Sequence, residues 1–437
     1  MPTYRLRIQL DAPLAVSESR SEDGRYQTPP YVPAPTLRGA LAAHLDRAGL
    51  SQEVLNEVFG EAGCRTTRLV PLHETSPSGL GGHGEEEAPS EEGRRRPETF
   101  PVPLTLNTCK RHGGFQGETR GEGNGPAHGA EDTLLATLQF AMQDEAEMLR
   151  ALQQCGDCGN VLVPMGGFAR RTNGGYVTQP PPPKRTQVHV GRDRRRKGAE
   201  SGVLYAREMI QESGSDPVLM EAEVRASEDK MEQLAGHIEA STSESVSPGE
   251  GDGGATVLNV GTAISRGLGR CRVRAFEPAE KRRPVRERAE ALNEAWQAAG
   301  GEGPIVTLTL RTPAFFVNEW LRPEMSPPGS ALLQAAREPE QVHAEVLSSL
   351  KRLHQVARPD RLQAWNGMAG FPHATDQGLA TGSVLVYRPP ELSDALFEAL
   401  AHVEQAGVGL RREFGFGTVV ACDPLHAEVH EHSGAHS

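Results

Sequence analysis

Two cysteines separated by two residues form the most specific chemical motif in the chain. Cys155 and Cys158 stand in CGDCGN, and Cys109 lies upstream in TCKRH. A CxxC turn presents two thiolates to one ion, and further thiolate or imidazole groups complete a structural tetrahedral zinc site. The spacing predicts one closed zinc site with three cysteines and one histidine: Cys109, Cys155, Cys158 and either His112 or His128. A pair of redox-inert thiols is the alternative.

Two loops rich in glycine and arginine have the composition of phosphate-binding loops. They lie in NVGTAISRGLGRCRV and AGVGLRREFGFGTVV, each directly before a strand-like run. Glycine lets backbone N–H groups approach phosphate oxygens, and arginine adds charge and paired donors. The predicted RNA-binding residues of these loops are Gly261, Arg266, Gly267, Gly269 and Arg270, then Gly409, Arg411, Arg412, Phe414, Gly415 and Gly417. The Phe414 ring is suited to stack on an unpaired base, although such rings more often pack beneath their own loop.

A strongly basic segment stands out from the net charge of −12. Lys184 to Lys197 contains seven Lys or Arg and one Asp, and a polyanion responds to the local field rather than to net charge. Alternating residues before and after the segment predict an extended hairpin. Its tip would carry Arg192, Arg194, Arg195, Arg196 and Lys197. Arg38, on the first predicted helix, is a further predicted contact, whereas a solvated helix surface is its ordinary alternative.

Composition limits the class of protein. Of 437 residues, 48 are Gly and 33 are Pro, so turns are plentiful, while 37% hydrophobic residues suffice for a packed core. No run approaches the length of a membrane span and the N-terminus lacks a signal-peptide pattern, which predicts a cytoplasmic protein without a membrane partner. Six cysteines then argue against a disulfide framework. Cys64, Cys271 and Cys422 are predicted to be small core residues.

The same order of elements occurs twice. TYRLRIQLDAPL opens one half and PIVTLTLRTPAFF the other, and each half closes with a Gly/Arg loop before a final strand. A helix is predicted from Thr36 to Gly49, with Leu37, Leu41 and Leu45 on one face. This order fits a ferredoxin-like, RRM-like βαββαβ unit. The predicted fold class is α+β, with two such domains, inserted loops and a small zinc-binding insertion.

The predicted boundaries follow from these landmarks. Residues 1–276 form the N-terminal domain, which holds an acidic loop, the zinc-binding insertion (105–168) and the basic hairpin (184–206). Residues 277–303 are a predicted linker, 304–425 the C-terminal domain and 426–437 a flexible tail. Two tracts, 73–98 and 240–256, are too poor in apolar residues to pack and are predicted to be mobile.

Several segments together resemble the RAMP superfamily, whose members assemble CRISPR effector complexes around a guide RNA. The resemblance lies in the paired Gly/Arg loops, YVPAPTLRGALAAHL, VFGEAGCRTTRLVPL, PLTLNTCKRHGGF, CGDCGNVLVPMGGF and AWNGMAGFPHATDQGLATGSVLVY. Within the superfamily the chain is most similar to the type III-D family written Csx-ten, which is of the Cas-five kind. The resemblance implies two RAMP domains that bind the 5′ handle of a CRISPR RNA and cap a backbone of related subunits in antiviral defence. Its implied partners are those subunits, the large signature subunit of a type III complex and, indirectly, target RNA.

Catalysis is the weaker expectation. RAMP relatives that cut RNA use a loop Asp or a His-based acid–base pair. Asp23 lies in the loop after the first strand, and His44 and His189 are the histidines nearest the predicted RNA face. None of the three has a partner at a defined spacing. We therefore expect a non-catalytic binding subunit. A RAMP endoribonuclease and a zinc-stabilised scaffold that contacts only protein are the alternatives.

Overall fold

The computed structural model describes residues 2–16, 19–20, 25–60, 63–72, 98–118, 126–143, 154–172, 175–192, 199–213, 217–238, 255–280, 282–333, 341–362, 365–366, 371–372 and 376–434. Most of both predicted mobile tracts lies outside these residues, as do Asp23 and most of the predicted hairpin tip: Arg194, Arg195, Arg196 and Lys197.

Strands and helices follow in chain order. The strands up to residue 278 are β1 (Thr3–Leu10), β2 (Ser19–Arg20), β3 (Arg25–Gln27), β4 (Arg65–Thr66), β5 (Val70–Leu72), β6 (Thr99–Pro101), β7 (Leu106–Cys109), β8 (Ala130–Asp132), β9 (Leu162–Pro164), β10 (Phe168–Thr172), β11 (Gly175–Gln179), β12 (Lys184–Arg192), β13 (Ala199–Ile210), β14 (Leu219–Arg225), β15 (Val257–Asn259) and β16 (Arg270–Pro278). The later strands are β17 (Val306–Leu310), β18 (Lys351–Val356), β19 (Pro359–Leu362), β20 (Trp365–Asn366), β21 (Phe371–Pro372), β22 (Asp376–Leu379), β23 (Val384–Arg388) and β24 (Val419–Ala421). The helices are α1 (Ala34–Arg47), α2 (Gln52–Phe59), α3 (Leu134–Gln143), α4 (Glu228–Ala235), α5 (Val285–Ala298), α6 (Gln341–Ser348), α7 (Asp394–Ala406) and α8 (Pro424–Gly434).

The first half contains a βαββαβ unit. Its antiparallel sheet has the order β16-β1-β14-β4, with β15 beside β16 and β5 beside β14. Helix α1 lies between β1 and β4 in the chain order, and α4 lies between β14 and β16, which is the ferredoxin-like arrangement. Leu6 and Ile8 of β1 pack against Leu37, Leu41 and Leu45 in one core. The predicted apolar face of α1 is confirmed, because all three leucines are fully buried.

The second half repeats this arrangement. Its sheet has the order β18-β23-β17-β24, so the first strand of the unit again lies between the third and the fourth. Helix α6 precedes β18, and α7 lies between β23 and β24. Ser393 caps α7 by accepting a hydrogen bond from the Leu396 N–H at 3.4 Å. The α+β prediction of two ferredoxin-like units is confirmed.

Two segments outside the predicted domains are core elements. The predicted linker, 277–303, contains α5, whose Ala289, Leu292 and Trp296 are buried in the core of the second half. Apolar side chains on one side of this helix explain why it packs rather than spans open solvent. The predicted tail begins inside α8, where His426 is fully buried and Val429 nearly so.

The predicted insertion belongs spatially to the second half. Strands β8, β7 and β9 form one sheet and β11, β10 and β6 another. Phe100, Leu106 and Met165 share a core with Leu425 and Val429 of α8. Three leucines of α3 join the main core of the second half: Leu134, Leu135 and Leu138. This packing joins segments that are far apart in the chain, so the order of elements in the sequence does not predict it.

The basic segment forms the predicted hairpin. Strands β12 and β13 pair antiparallel from Lys184 opposite Ile210 to Arg192 opposite Ala199. Strand β3 adds a parallel edge to β13, and β2 pairs with β3. The hairpin is thereby fixed beside the first half by sheet pairing.

Candidate nucleic-acid interface and metal site

The two Gly/Arg loops, defined as residues 260–270 and 408–418, have the same backbone path. Ile264–Arg266 and Arg412–Phe414 each form a single 3-10 turn. The residue before each turn is left-handed, with φ of 60° at Ala263 and 58° at Arg411. Each turn ends in a left-handed glycine, with φ of 82° at Gly267 and 81° at Gly415. The repeated sequence pattern therefore encodes a repeated conformation.

The anchoring of the two loops is also repeated. Gly269 donates its N–H to the carbonyl of Pro13, and Gly417 donates to Pro313, both at 2.8 Å. A Cβ at Gly269 would collide with the carbonyl oxygen of Val260, and one at Gly417 would collide with that of Val408. Gly261 and Gly409 likewise lie against the backbone that follows the first strand of their half. The backbone of each loop therefore requires its two glycines, because any side chain there would collide with neighbouring backbone.

The first loop presents its turn to solvent. Arg266, Gly267 and Arg270 are exposed, and a Cβ added at Gly267 would meet no atom within 4 Å. Ile264 is 44% exposed. The guanidinium of Arg266 donates to the hydroxyl of Tyr205 on β13 at 3.5 Å, which joins the loop to the basic hairpin.

A row of rings continues from Arg266 along the hairpin. His189 of β12 stacks on Tyr205 with ring centroids 5.0 Å apart. Tyr205 meets the edge of Tyr26 at 5.8 Å, and the Arg207 guanidinium lies 6.0 Å from the Tyr26 ring centre. We call Tyr26, His189, Tyr205 and Arg207 the aromatic strip. Rings interleaved with cations are what single-stranded nucleic acid binds, because bases stack on the rings while cations meet phosphates.

Of Arg266 and the four residues of the aromatic strip, the sequence indicated only Arg266, as an RNA contact, and His189, as a histidine near the RNA face. Tyr205 could have been found from the strand alternation, because it lies directly opposite His189 in the hairpin register. Tyr26 and Arg207 come together through the parallel pairing of β3 with β13. That pairing depends on a fold contact between segments far apart in the chain.

The second loop is buried between the two halves. Arg412 is 9% exposed, and Gly409, Gly415 and Gly417 are buried. A Cβ at Gly415 would collide with the Thr66 carbonyl oxygen of the first half. The predicted RNA-binding surface of this loop is therefore a junction surface.

The side chains beside this junction are also engaged. The Arg38 guanidinium lies 5.2 Å from the Phe414 ring centre and 5.6 Å from that of Phe59, and it donates to the Phe59 carbonyl. Burial lowers the pKa of Arg38. Arg411 pairs with Asp376 at 2.7 Å, with both side chains about one-third exposed. The predicted contacts Arg38 and Phe414 thus hold each other across the two halves.

Three arginines converge on the last turn of α7. Arg412 donates to the Ala406 carbonyl at 3.3 Å, Arg225 donates to the Glu404 carbonyl at 2.8 Å, and Arg65 also binds the Ala406 carbonyl. A helix C-terminus carries unpaired carbonyls and partial negative charge, which cations stabilise. Burial and the neighbouring Arg412 lower the pKa of Arg65 to about 10, so it stays charged at neutral pH.

The predicted metal ligands meet in one cluster. The ligand atoms of Cys109, His128, Cys155 and Cys158 all lie within 4.8 Å of one another. The Cys109 and Cys158 sulfurs are 3.6 Å apart, close to the edge of about 3.8 Å expected for zinc–sulfur bonds of 2.3 Å at tetrahedral angles. The Cys155 sulfur lies 3.4 Å from Nδ1 of His128. Strand β7 supplies Cys109, and the turn before β9 supplies the CxxC pair.

His112 has a supporting position. Its ring stacks on His128 at 4.3 Å, and its backbone N–H donates to the Cys109 sulfur at 3.5 Å. Hydrogen bonds from Asn160 lower the pKa of the Cys158 thiol to about 6, whereas burial raises that of Cys155 to about 11. The ring of His128 places a nitrogen among the three sulfurs, whereas His112 contacts the cluster through its backbone N–H and by stacking. His128 is therefore the imidazole of the cluster. Cys64, Cys271 and Cys422 are buried outside it, as predicted.

A buried polar chain links the insertion to the second half. Nδ1 of His426 on α8 lies 2.6 Å from a carboxylate oxygen of Asp132, and Nε2 of the same ring lies 2.9 Å from the Thr309 hydroxyl of β17. Asp132 also accepts the Leu134 N–H at the start of α3 at 2.8 Å. Thr, His and Asp in this order resemble a nucleophilic triad. All three side chains are buried in the core, however. These hydrogen bonds therefore hold α8 to β17 and to the start of α3.

The family model described as CRISPR-associated protein (Cas_Cmr3) matches residues 132–424 of the chain. This match spans more than half of the chain. The protein therefore belongs to the Cas_Cmr3 family of CRISPR-associated proteins. No curated protein matched the sequence.

Solved structures include distant likenesses. A chain of the type III-B Cmr-beta bound to cognate target RNA and AMPPnP is 10% identical, with 88% of this chain and 86% of that chain covered and a TM-score of 0.37. Cas6 of Thermus thermophilus is 16% identical over 47% of this chain and 75% of that one, with a TM-score of 0.26. Oligomeric Cmr4 from Pyrococcus furiosus is 12% identical over 64% and 100%, with a TM-score of 0.25. Across the described residues, none of the helices has the length and apolar content needed to cross a membrane.

Proposed function

We propose that this protein is a non-catalytic subunit of a type III CRISPR effector that binds the 5′ handle of the CRISPR RNA in antiviral defence. It would cap one end of the subunit backbone and contact the large signature subunit. Membership of the Cas_Cmr3 family supports the CRISPR assignment. The narrower similarity to the type III-D Csx-ten family stays a prediction, since the family that matches is Cas_Cmr3.

One observation carries the RNA-binding proposal. The first loop is exposed and is joined through Arg266 to the aromatic strip, whereas its structural repeat is buried. Arg266 and Arg270 supply charge at a glycine-rich turn, and Arg207 supplies charge among the rings. A guide strand along this surface would place phosphates on the loop and unpaired bases on Tyr26 and Tyr205.

This surface would bind RNA without cutting it. His189 stacks on Tyr205, a contact that orients the ring. The ring nitrogen of His44 lies 3.0 Å from the carbonyl of His237 on the surface of the first half. General acid–base cleavage needs a positioned acid and base at one scissile phosphate, and these two contacts do not provide such a pair.

Co-purification tests the proposal. The chain is expressed with the neighbouring effector subunits, the complex is isolated natively, and the retained RNA is sequenced. We expect small RNAs with a common 5′ handle, and intact RNA after incubation of the isolated chain with guide precursor. Recovery of no discrete RNA would refute the binding role, and cleavage abolished by His189→Ala would refute the non-catalytic role.

We also propose that Cys109, His128, Cys155 and Cys158 hold one structural zinc ion. A closed site with four protein ligands supplies folding energy and leaves no position for an activated water. His128→Ala should lose the ion, while His112→Ala, its stacked neighbour, should keep close to one zinc per chain in elemental analysis. Less than about 0.2 zinc per wild-type chain after purification without chelator would reject the site.

A further inference from the structure

The two most exposed large apolar side chains of the described residues lie together at a tight turn outside both Gly/Arg loops. Trp320 is 74% exposed and Leu321 is 80% exposed. Large exposed apolar groups that adjoin each other mark interaction sites more often than isolated ones do. The turn lies in the second half, where Val317 and Pro323 form an isolated bridge at its base. We call residues 317–323 the Trp turn.

The Trp turn is held in one conformation by its own backbone. Asn318 accepts the Trp320 and Arg322 N–H groups on Oδ1 at 3.0 and 3.1 Å. Its backbone N–H donates to the Arg322 carbonyl, and its carbonyl accepts the Leu321 N–H, both at 2.9 Å. Leu321 has φ of 57°, in the left-handed region that favours glycine. A large apolar residue therefore stands at a position where the backbone alone would favour glycine.

The repeated fold does not require this apolar pair. The segments that follow the first strands of the two halves correspond with an offset of 300, because Pro13 and Pro313 accept equivalent hydrogen bonds from Gly269 and Gly417. Counted on by the same offset, positions 17–23 read SESRSED and contain no apolar residue. An exposed Trp-Leu pair in only one half points to a use beyond folding.

We propose that the Trp turn inserts into an apolar pocket with a basic rim on a neighbouring protein subunit of the effector. Glu319 and Glu324 lie on either side of the pair and Arg322 is the only cation between them, so the segment 317–324 has a net charge of −1. This charge disfavours a polyanion and complements a basic rim. Rigid aromatic anchors in such pockets dominate protein interfaces, since little entropy is lost on docking. The inference rests on the proposed role of the chain as an effector subunit.

Hydroxyl-radical footprinting tests the proposal at residue resolution. Oxidation of Trp320 is measured by mass spectrometry in the isolated chain, in the chain with handle-containing RNA, and in the co-purified complex. We expect at least fivefold protection in the complex and none with RNA alone. Protection by RNA alone would mean that Trp320 contacts a nucleobase instead of a protein pocket, which would overturn the proposal. Unchanged oxidation in the complex would also overturn it.

Two variants separate docking from folding. Leu321→Gly suits the left-handed backbone, so the isolated chain should melt at or above the wild-type temperature while retaining at least fivefold less neighbouring subunit. Trp320→Ser should lose subunit retention with unchanged RNA affinity, and Val161→Thr, at another exposed apolar residue, should retain both. Wild-type retention by Leu321→Gly and Trp320→Ser would contradict the proposal. A wild-type chain that joins no complex would instead show that the proposed function itself is wrong.

Discussion

The two Gly/Arg loops share a backbone but meet different surroundings. In the first, Gly267 has open space beside it and Arg266 reaches a surface tyrosine. In the second, Gly415 touches the backbone of the other half and Arg412 binds the end of α7. The same turn therefore serves as an exposed surface at one place and as a joint at the other. Repetition of a motif within one chain does not imply repetition of its role.

Matched glycine substitutions should show the largest difference between the loops. Gly267→Ala and Gly415→Ala place alanine at nearly the same φ, 82° and 81°. Backbone strain alone should cost Gly267→Ala about 1 kcal/mol, while the added collision with Thr66 should raise the cost at Gly415 to about 4 kcal/mol. Urea unfolding of both variants measures this. Equal losses would mean that the second loop is not closely packed at the junction.

The arginines of the loops should differ in the same direction. Arg412→Ala removes a charged donor from the last turn of α7 and should cost about 2 kcal/mol of unfolding free energy. Arg266→Ala removes an exposed side chain and should cost less than about 0.5 kcal/mol. The midpoints of urea unfolding compare the two variants directly. A larger loss of unfolding free energy from Arg266→Ala than from Arg412→Ala would contradict the assignment of the first loop as exposed and the second as buried between the halves.

The buried ionisable groups His426 and Asp423 of the second half should make the free energy of unfolding depend on pH. Burial lowers the pKa of His426, but Asp132 and Asp423 outweigh it, so this pKa is raised. Burial raises the pKa of Asp423, but Arg311 and His426 outweigh it, so that pKa is lowered. The His426 contribution is fully present below its unfolded pKa of about 6.5 and is lost as pH rises through the folded value. The Asp423 contribution is present above about pH 3.9 and is lost on acidification.

Unfolding free energy measured from pH 6 to pH 9 tests the histidine. Wild type should lose stability over this range, and His426→Gln should show a flatter profile. His44→Gln, which changes a surface histidine of the first half, should keep the wild-type slope. Identical slopes for wild type and His426→Gln would show that His426 carries no proton linked to folding.

The sequence predicted what depends on local pattern. Strand and helix periodicity predicted the two ferredoxin-like units, and the CxxC pair together with the upstream Cys109 supplied three zinc-ligand candidates that the fold brings together. The choice of His128 over His112 required the fold, because both histidines follow Cys109 in Gly-rich segments. The burial of α8 was missed because its first turn pairs with Asp132, far away in the chain.

The roles of the two loops could not be read from composition. Glycine and arginine are enriched both where phosphates bind and where a backbone packs closely against another chain segment. One signal was present in the second loop, where Phe414 and Phe416 suit burial, while the first loop has no aromatic residue. Phe416 indeed packs edge-on against Phe315 at 5.2 Å.

A salt titration of RNA binding tests the central claim most directly. Wild type, Arg266→Ala/Arg270→Ala and Arg411→Ala/Arg412→Ala are titrated against a single-stranded RNA that contains the handle. Each lost phosphate contact removes about 0.7 from the log–log slope on single strands, so the first-loop variant should flatten the slope by about 1.4. The second-loop variant should keep the wild-type slope wherever it remains folded. A flattened slope in the second-loop variant, with no change in the first-loop variant, would contradict the account.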